Sequence, residues 1–130
     1  MTYLISDTHG KDITPPKDCD TLIHLGDYVS GNVTGSLTLF ISVRGNHDIM
    51  IPEPDFVCDS IMIGEYYLTH QPVDRLPRGA AYNIHGHLHG QPYEDYGFEK
   101  KPFHIEILPN KLVSLEGIEH GRSYCENAQK

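Results

Sequence analysis

The chain is divided into short apolar runs, and five of those runs stop on residues of the metal-ligand type. "YLIS" leads into Asp7-Thr8-His9, "LIHL" into Gly26-Asp27, "FISV" into Arg44-Gly45-Asn46-His47-Asp48, "YYLT" into His70, and "YNIH" into Gly86-His87-Leu88-His89. Runs this short, rich in β-branched and aromatic residues, suit buried strands rather than helices. The pattern predicts strands at 3–6, 21–25, 37–43, 59–63, 65–69, 81–85, 103–108 and 111–115, with tight hairpins around Gly64 and Asn110. Helical signals are few. "GKDITPPKDCD" carries Pro15 and Pro16 and "SGNVTGS" carries two glycines, so neither sustains a long helix. "LVSLEGIEHG" has room for one or two helical turns before Gly121. In open α/β sheets, sites form beyond the carboxyl ends of the strands, so the five ends can converge on one spot.

Asp7, His9, Asp27, Asn46, His70, His87 and His89 together offer more donors than the about four to six that one ion takes, which suits a pair of ions. Imidazole mixed with carboxylate favours manganese, iron, zinc or nickel over calcium, which prefers oxygen alone. No cysteine accompanies the motifs, which argues against a structural zinc site. Along an extended backbone, His87 and His89 leave on the same side and can reach neighbouring ions, and Asp7 and His9 can do the same for one ion. Gly26, Gly45 and Gly86 stand just before ligand-type residues, where a close approach of backbone is easiest. Two ions about 3.5–4 Å apart acidify a bridging water and clamp a phosphoryl group for in-line attack. His47 lies between Asn46 and Asp48, placed to donate a proton to a leaving oxygen, with Asp48 holding its charged form. Arg44 suits a phosphate contact. His24 and His85 fall within strands and read as buried supports, His104 and His120 are given no role, and Tyr93 and Tyr96 in "QPYEDYGF" could form a ring-stacking lip.

At 130 residues the sequence is read as a single domain, 1–130. Its formal charge of −8 repels nucleic-acid phosphates and anionic membranes, so no stable nucleic-acid complex and no membrane partner is expected. Cys19, Cys58 and Cys125 are odd in number and widely separated, which reads as free thiols in a reducing compartment. There is no long apolar run, and a strand leading directly into Asp7 leaves no room for a leader; a cytoplasmic location is expected.

The ordered set Asp7-x-His9, Gly26-Asp27, Gly45-Asn46-His47-Asp48, His70, Gly86-His87-x-His89 resembles the calcineurin-like metallophosphoesterases, and "HGHLHG" with a short β C-terminus is most similar to small bacterial or phage members. The resemblance implies an α/β fold, the β-sandwich of αββα type, here pared down, strand-rich and helix-poor. It implies that Asp7, His9, Asp27 and His89 hold one divalent ion. Asp27, Asn46, His70 and His87 would hold a second, with Asp27 bridging and His47 catalytic. Manganese is the favoured metal. The reaction implied is hydrolysis of a phosphoester by a metal-bridging hydroxide, on a small phosphorylated or nucleotide-like substrate. The short gaps between motifs leave no room for a cap, which favours a phosphodiester over a monoester. The alternatives are a non-catalytic binding module of the same fold and a metal-dependent nuclease acting on short nucleic acid. Missing helices would bare sheet faces, so a homo-oligomer covering them is also expected.

Overall fold

A computed structural model describes residues 1–29, 33–35, 37–45 and 54–128, the last seven by backbone alone. Among the described residues, nine strands form two sheets. The larger takes β1 (Thr2–Ile5), β2 (Thr21–His24), β3 (Leu39–Val43), β4 (Phe56–Cys58) and β9 (Val113–Ser114), in the order β4-β3-β2-β1-β9. Its first four strands are parallel, and β9 joins β1 antiparallel. The smaller takes β5 (Ile61–Ile63), β6 (Tyr66–Thr69), β7 (Tyr82–His85) and β8 (His104–Glu106) in chain order. There β5 and β6 form a hairpin through Gly64, and β6, β7 and β8 run parallel.

The period-two alternation of each strand sorts its side chains between two layers. Leu4, Ile23 and Val43 from the larger sheet meet Tyr66, Leu68 and Ile84 from the smaller, so the main core lies between the sheets. Ile5, Leu22 and Phe40 point the other way and are covered by Ile13, Cys19 and Tyr28. Register carries the pattern across the sheet: Leu4 lies beside Ile23, and Ile23 beside Ile41.

Among the described residues, the cover over that outer face contains no helix. The crossing between β1 and β2 is irregular coil, and it pairs with the described part of the crossing between β2 and β3 through a parallel bridge from Ile13 to Val33. The Thr34 amide donates to the Ile13 carbonyl at 3.0 Å, so this part winds in the manner of short β-solenoid coils. The expected α/β metallophosphoesterase sandwich of αββα type is overturned by this arrangement. Among the described residues there is one α-helix, α1 (Leu115–Ala128), and it packs on β1 and β9 at the sheet edge rather than forming a layer. The reason is local. Pro15 and Pro16 lack amide hydrogens, and their fixed φ and ring bulk break a helix in the first crossing. No described helix is long and apolar enough to cross a membrane.

The carboxyl ends of β1, β2, β6 and β7 are stitched together. Asp7 N–H donates to the Gly26 carbonyl at 3.0 Å, His9 N–H to Asp27 at 2.9 Å, and Gly86 N–H to His70 at 3.0 Å. The last of these bonds joins the ends of β6 and β7 in the smaller sheet, and the first two join the ends of β1 and β2 in the larger.

Candidate metal centre

Two clusters of carboxylate and imidazole stand at these strand ends. Asp7, His9 and His89 form one, and Asp27, His70 and His87 the other; in each, one ligand-type atom per residue lies within 4.8 Å of the others. Asp27 Oδ2 faces both, at 3.3 Å from His70 Nε2 and 3.9 Å from His9 Nε2. Asp7 Oδ1 lies 3.5 Å from His89 Nε2 and 3.9 Å from His9 Nε2. The second cluster is the more buried, and His9 and His89 open to solvent.

The hydrogen bonds around the clusters prepare specific atoms for a cation. Asp7 Oδ2 accepts from Ser6 Oγ at 2.5 Å and from the His87 amide at 2.9 Å. Asp7 Oδ1 is fully buried and has no hydrogen-bond partner. A buried carboxylate oxygen without a partner costs about 1–3 kcal/mol or more, and a divalent ion is a partner that would relieve it. His70 Nδ1 lies 2.8 Å from the Leu25 carbonyl. A carbonyl only accepts, so Nδ1 carries a proton, which leaves Nε2 as the atom that a metal ion could take; it faces Asp27 and lies 3.1 Å from His87 Nδ1. Burial, then the neighbouring His70, lowers the pKa of His87 and keeps the ring in the neutral form that binds metal.

The backbone is unusual at the same residues. Asp7, His9, Asp27, His87 and His89 all have positive φ, between 48° and 74°. Asp and His enter this region more readily than most residues, yet the left-handed conformation still costs on the order of 1–3 kcal/mol each and clusters at functional sites. These angles correct the extended geometry expected for His87-x-His89 and Asp7-x-His9. Both pairs lie in turns; His89 turns to Asp7, and His87 turns to Asp27. Gly45 and Gly86 make room for the turns. A Cβ at Gly45 would collide with the Asp27 backbone, and one at Gly86 with Ser6 Oγ.

The structure thus brings together Asp7, His9, Asp27, His70, His87 and His89. Asn46, His47 and Asp48 lie outside the described residues. Arg44 stands at the edge of the centre, half-exposed, with Nη1 3.4 Å from Asp59 Oδ1. Together with Gly45, Asp59, Thr69, His70 and Gln71 it lines an open cleft of about 470 Å³. The supporting histidines act through backbone and hydroxyl groups rather than through the carboxylates. His24 Nδ1 accepts from the Gly26 amide at 3.1 Å, so its Nε2–H donates to Thr8 Oγ1 at 2.8 Å and ties the Asp7-Thr8-His9 turn to the Gly26-Asp27 turn. His85 Nδ1–H donates to the Gly86 carbonyl at 2.9 Å, and its Nε2 accepts from the Tyr93 hydroxyl at 2.7 Å. Sequence reasoning missed Ser6 and Thr8. Ser6 donates to the Asp7 carboxylate, and its position immediately before Asp7 was the only available signal.

Comparison of the chain with protein-family models, with curated proteins and with solved structures gave no match.

Proposed function

We propose that the protein is a metal-dependent phosphoesterase that acts on phosphodiesters in preference to monoesters. The observation that carries this reading is the pair of clusters facing one another across Asp27, together with the partnerless buried oxygen of Asp7. The ordered motifs of the sequence support it independently, as in the calcineurin-like enzymes they resemble. Neutral imidazole with carboxylate oxygen fits manganese, and also iron, zinc or nickel. A pair of such ions, when bound, supplies an acidified water and neutralises charge on phosphoryl oxygens.

The chain's own groups divide the remaining work. Asp7, His9 and His89 would hold one ion, and Asp27, His70 and His87 the other, with Asp27 reaching both. Ser6 and the His87 amide fix the Asp7 carboxylate so that one oxygen stays directed into the centre. The Leu25 carbonyl fixes the His70 ring. Arg44 lines the cleft and would meet an anionic substrate group there. Asn46 would complete the second ion's ligands, and His47, held by Asp48, would pass a proton to the leaving oxygen.

The test is hydrolysis of a chromogenic phosphodiester and the matching monoester by metal-stripped protein, with manganese restored or withheld. Turnover only with metal, faster on the diester, is expected. Metal-independent turnover, or failure of the stripped protein to bind any divalent ion, overturns the reading.

A further inference from the structure

Tyr96 is an exposed aromatic beside a polar centre. It retains 41% of its surface in water, and its ring centroid lies 5.3 Å from that of His87. Phe98 meets the same imidazole at 6.2 Å. We infer that this rim is a stacking subsite for the planar ring of a nucleotide-type substrate, which rests on the phosphoesterase reading above and names the substrate class for it.

The rim is held firmly. A 3₁₀ turn at Tyr93–Tyr96 is anchored by Tyr93, which is buried and whose hydroxyl donates to His85. The Phe98 amide returns to the Tyr93 carbonyl at 3.0 Å, and Gly97 closes the turn with a φ of 81°. An aromatic side chain carried on an anchored turn and resting against His87 loses less freedom when a second ring lies on it than one on a free loop, which suits this exposed apolar area to contact. The two flanks of the centre also differ in chemistry. Beyond His70 the cleft presents Arg44, Asp59, Thr69 and Gln71, a polar wall suited to a sugar or phosphate. Beyond His87 the wall is aromatic. A phosphodiester over the centre would send its two substituents to these unlike walls, and the substituent that matches Tyr96 and Phe98 is a flat ring. Stacking of one base on an aromatic side chain is worth about 5- to 150-fold in affinity.

The experiment is calorimetric titration of the manganese-loaded protein with adenosine monophosphate and with ribose phosphate, which share the phosphate and sugar and differ in the base. The wild type is expected to bind the nucleotide at least about 5-fold more tightly. Tyr96→Ala should abolish the difference by weakening the nucleotide alone, and Tyr96→Phe should retain it. Equal binding of the two ligands by the wild type, or an undiminished ratio in Tyr96→Ala, overturns the inference. Absence of binding by both ligands overturns it too. Diester turnover measured in the same preparation then separates that outcome from failure of the phosphoesterase reading.

Discussion

Asp27 is the residue on which the two clusters depend, because its Oδ2 faces an imidazole of each. Asp27→Ala should therefore lower metal content from two ions to at most one and weaken the remaining affinity by more than the about 10- to 100-fold seen when an outer partner is removed. Metal analysis after dialysis checks it, and unchanged content would remove Asp27 from the centre. His85 carries a second prediction. It is fully buried, and that burial, with the Gly86 carbonyl partly opposing, pushes its pKa down to about 4. The unfolded chain binds a proton near pH 6.5 and the folded one does not until about 4, so stability is full above 6.5 and is lost as pH falls through that window. At pH 5 the loss from this one group is about 2 kcal/mol. Urea unfolding of metal-stripped protein at pH 8 and pH 5 should show it, and His85→Gln should flatten the slope. An unaltered slope would mean that His85 is not held neutral. At this scale the six residues of the two clusters were legible in sequence because each stands just after a short apolar run. Ser6, Thr8 and the ring tautomers were not, since they depend on which backbone groups the fold brings alongside.

Among the elements, the turns after the strands are tighter than the pattern suggested. The Gly86 turn runs against Ser6 and Asp7 so closely that a methyl group has no space. Gly86→Ala should cost about 1–3 kcal/mol, the usual penalty of overpacking, and should displace the Asp7 carboxylate and reduce metal affinity. Gly121 is the contrasting case. It lies inside α1, and nothing stands within 4 Å of where its Cβ would sit. Gly121→Ala should stabilise the protein by about 0.5–1 kcal/mol without touching metal binding. Equal effects of the two substitutions in chemical denaturation would contradict this placement. The sequence marked most strands but not β4, a three-residue run that directly follows the loop-type residues Pro54 and Asp55. It placed a helix end at Gly121, whereas α1 continues to Ala128, because glycine weakens a helix without stopping it. The shortage of flanking helices was visible in the prolines of the first crossing, but the parallel bridge by which the described parts of the two crossings pair was not.

For the whole molecule, those coils alter the expectation that a bare sheet face would need a second copy to cover it. Ile13, Cys19 and Tyr28 already cover the outer face of the larger sheet, so that argument for an oligomer no longer applies there. The global consequence of the centre lies instead in stability. Asp7 and Asp27 are each 1% exposed, and five residues of the two clusters hold left-handed backbone, so the protein without metal carries buried carboxyl groups and local strain together. A cation that binds only the folded state draws the equilibrium toward it, by about 2.7 kcal/mol for one site at a hundredfold excess over its Kd. For a chain of this size that corresponds to a rise in Tm of roughly 8 °C. The rise should shrink in acid, because an imidazole must be unprotonated to hold a metal ion. Asp27→Ala should show a smaller rise than the wild type at every pH, because the Asp27–His70–His87 cluster loses its carboxylate. Thermal unfolding with and without manganese, zinc and iron measures all three effects. A Tm that none of these ions moves would mean that the two clusters are ordinary buried polar groups, and the phosphoesterase reading would fail with them.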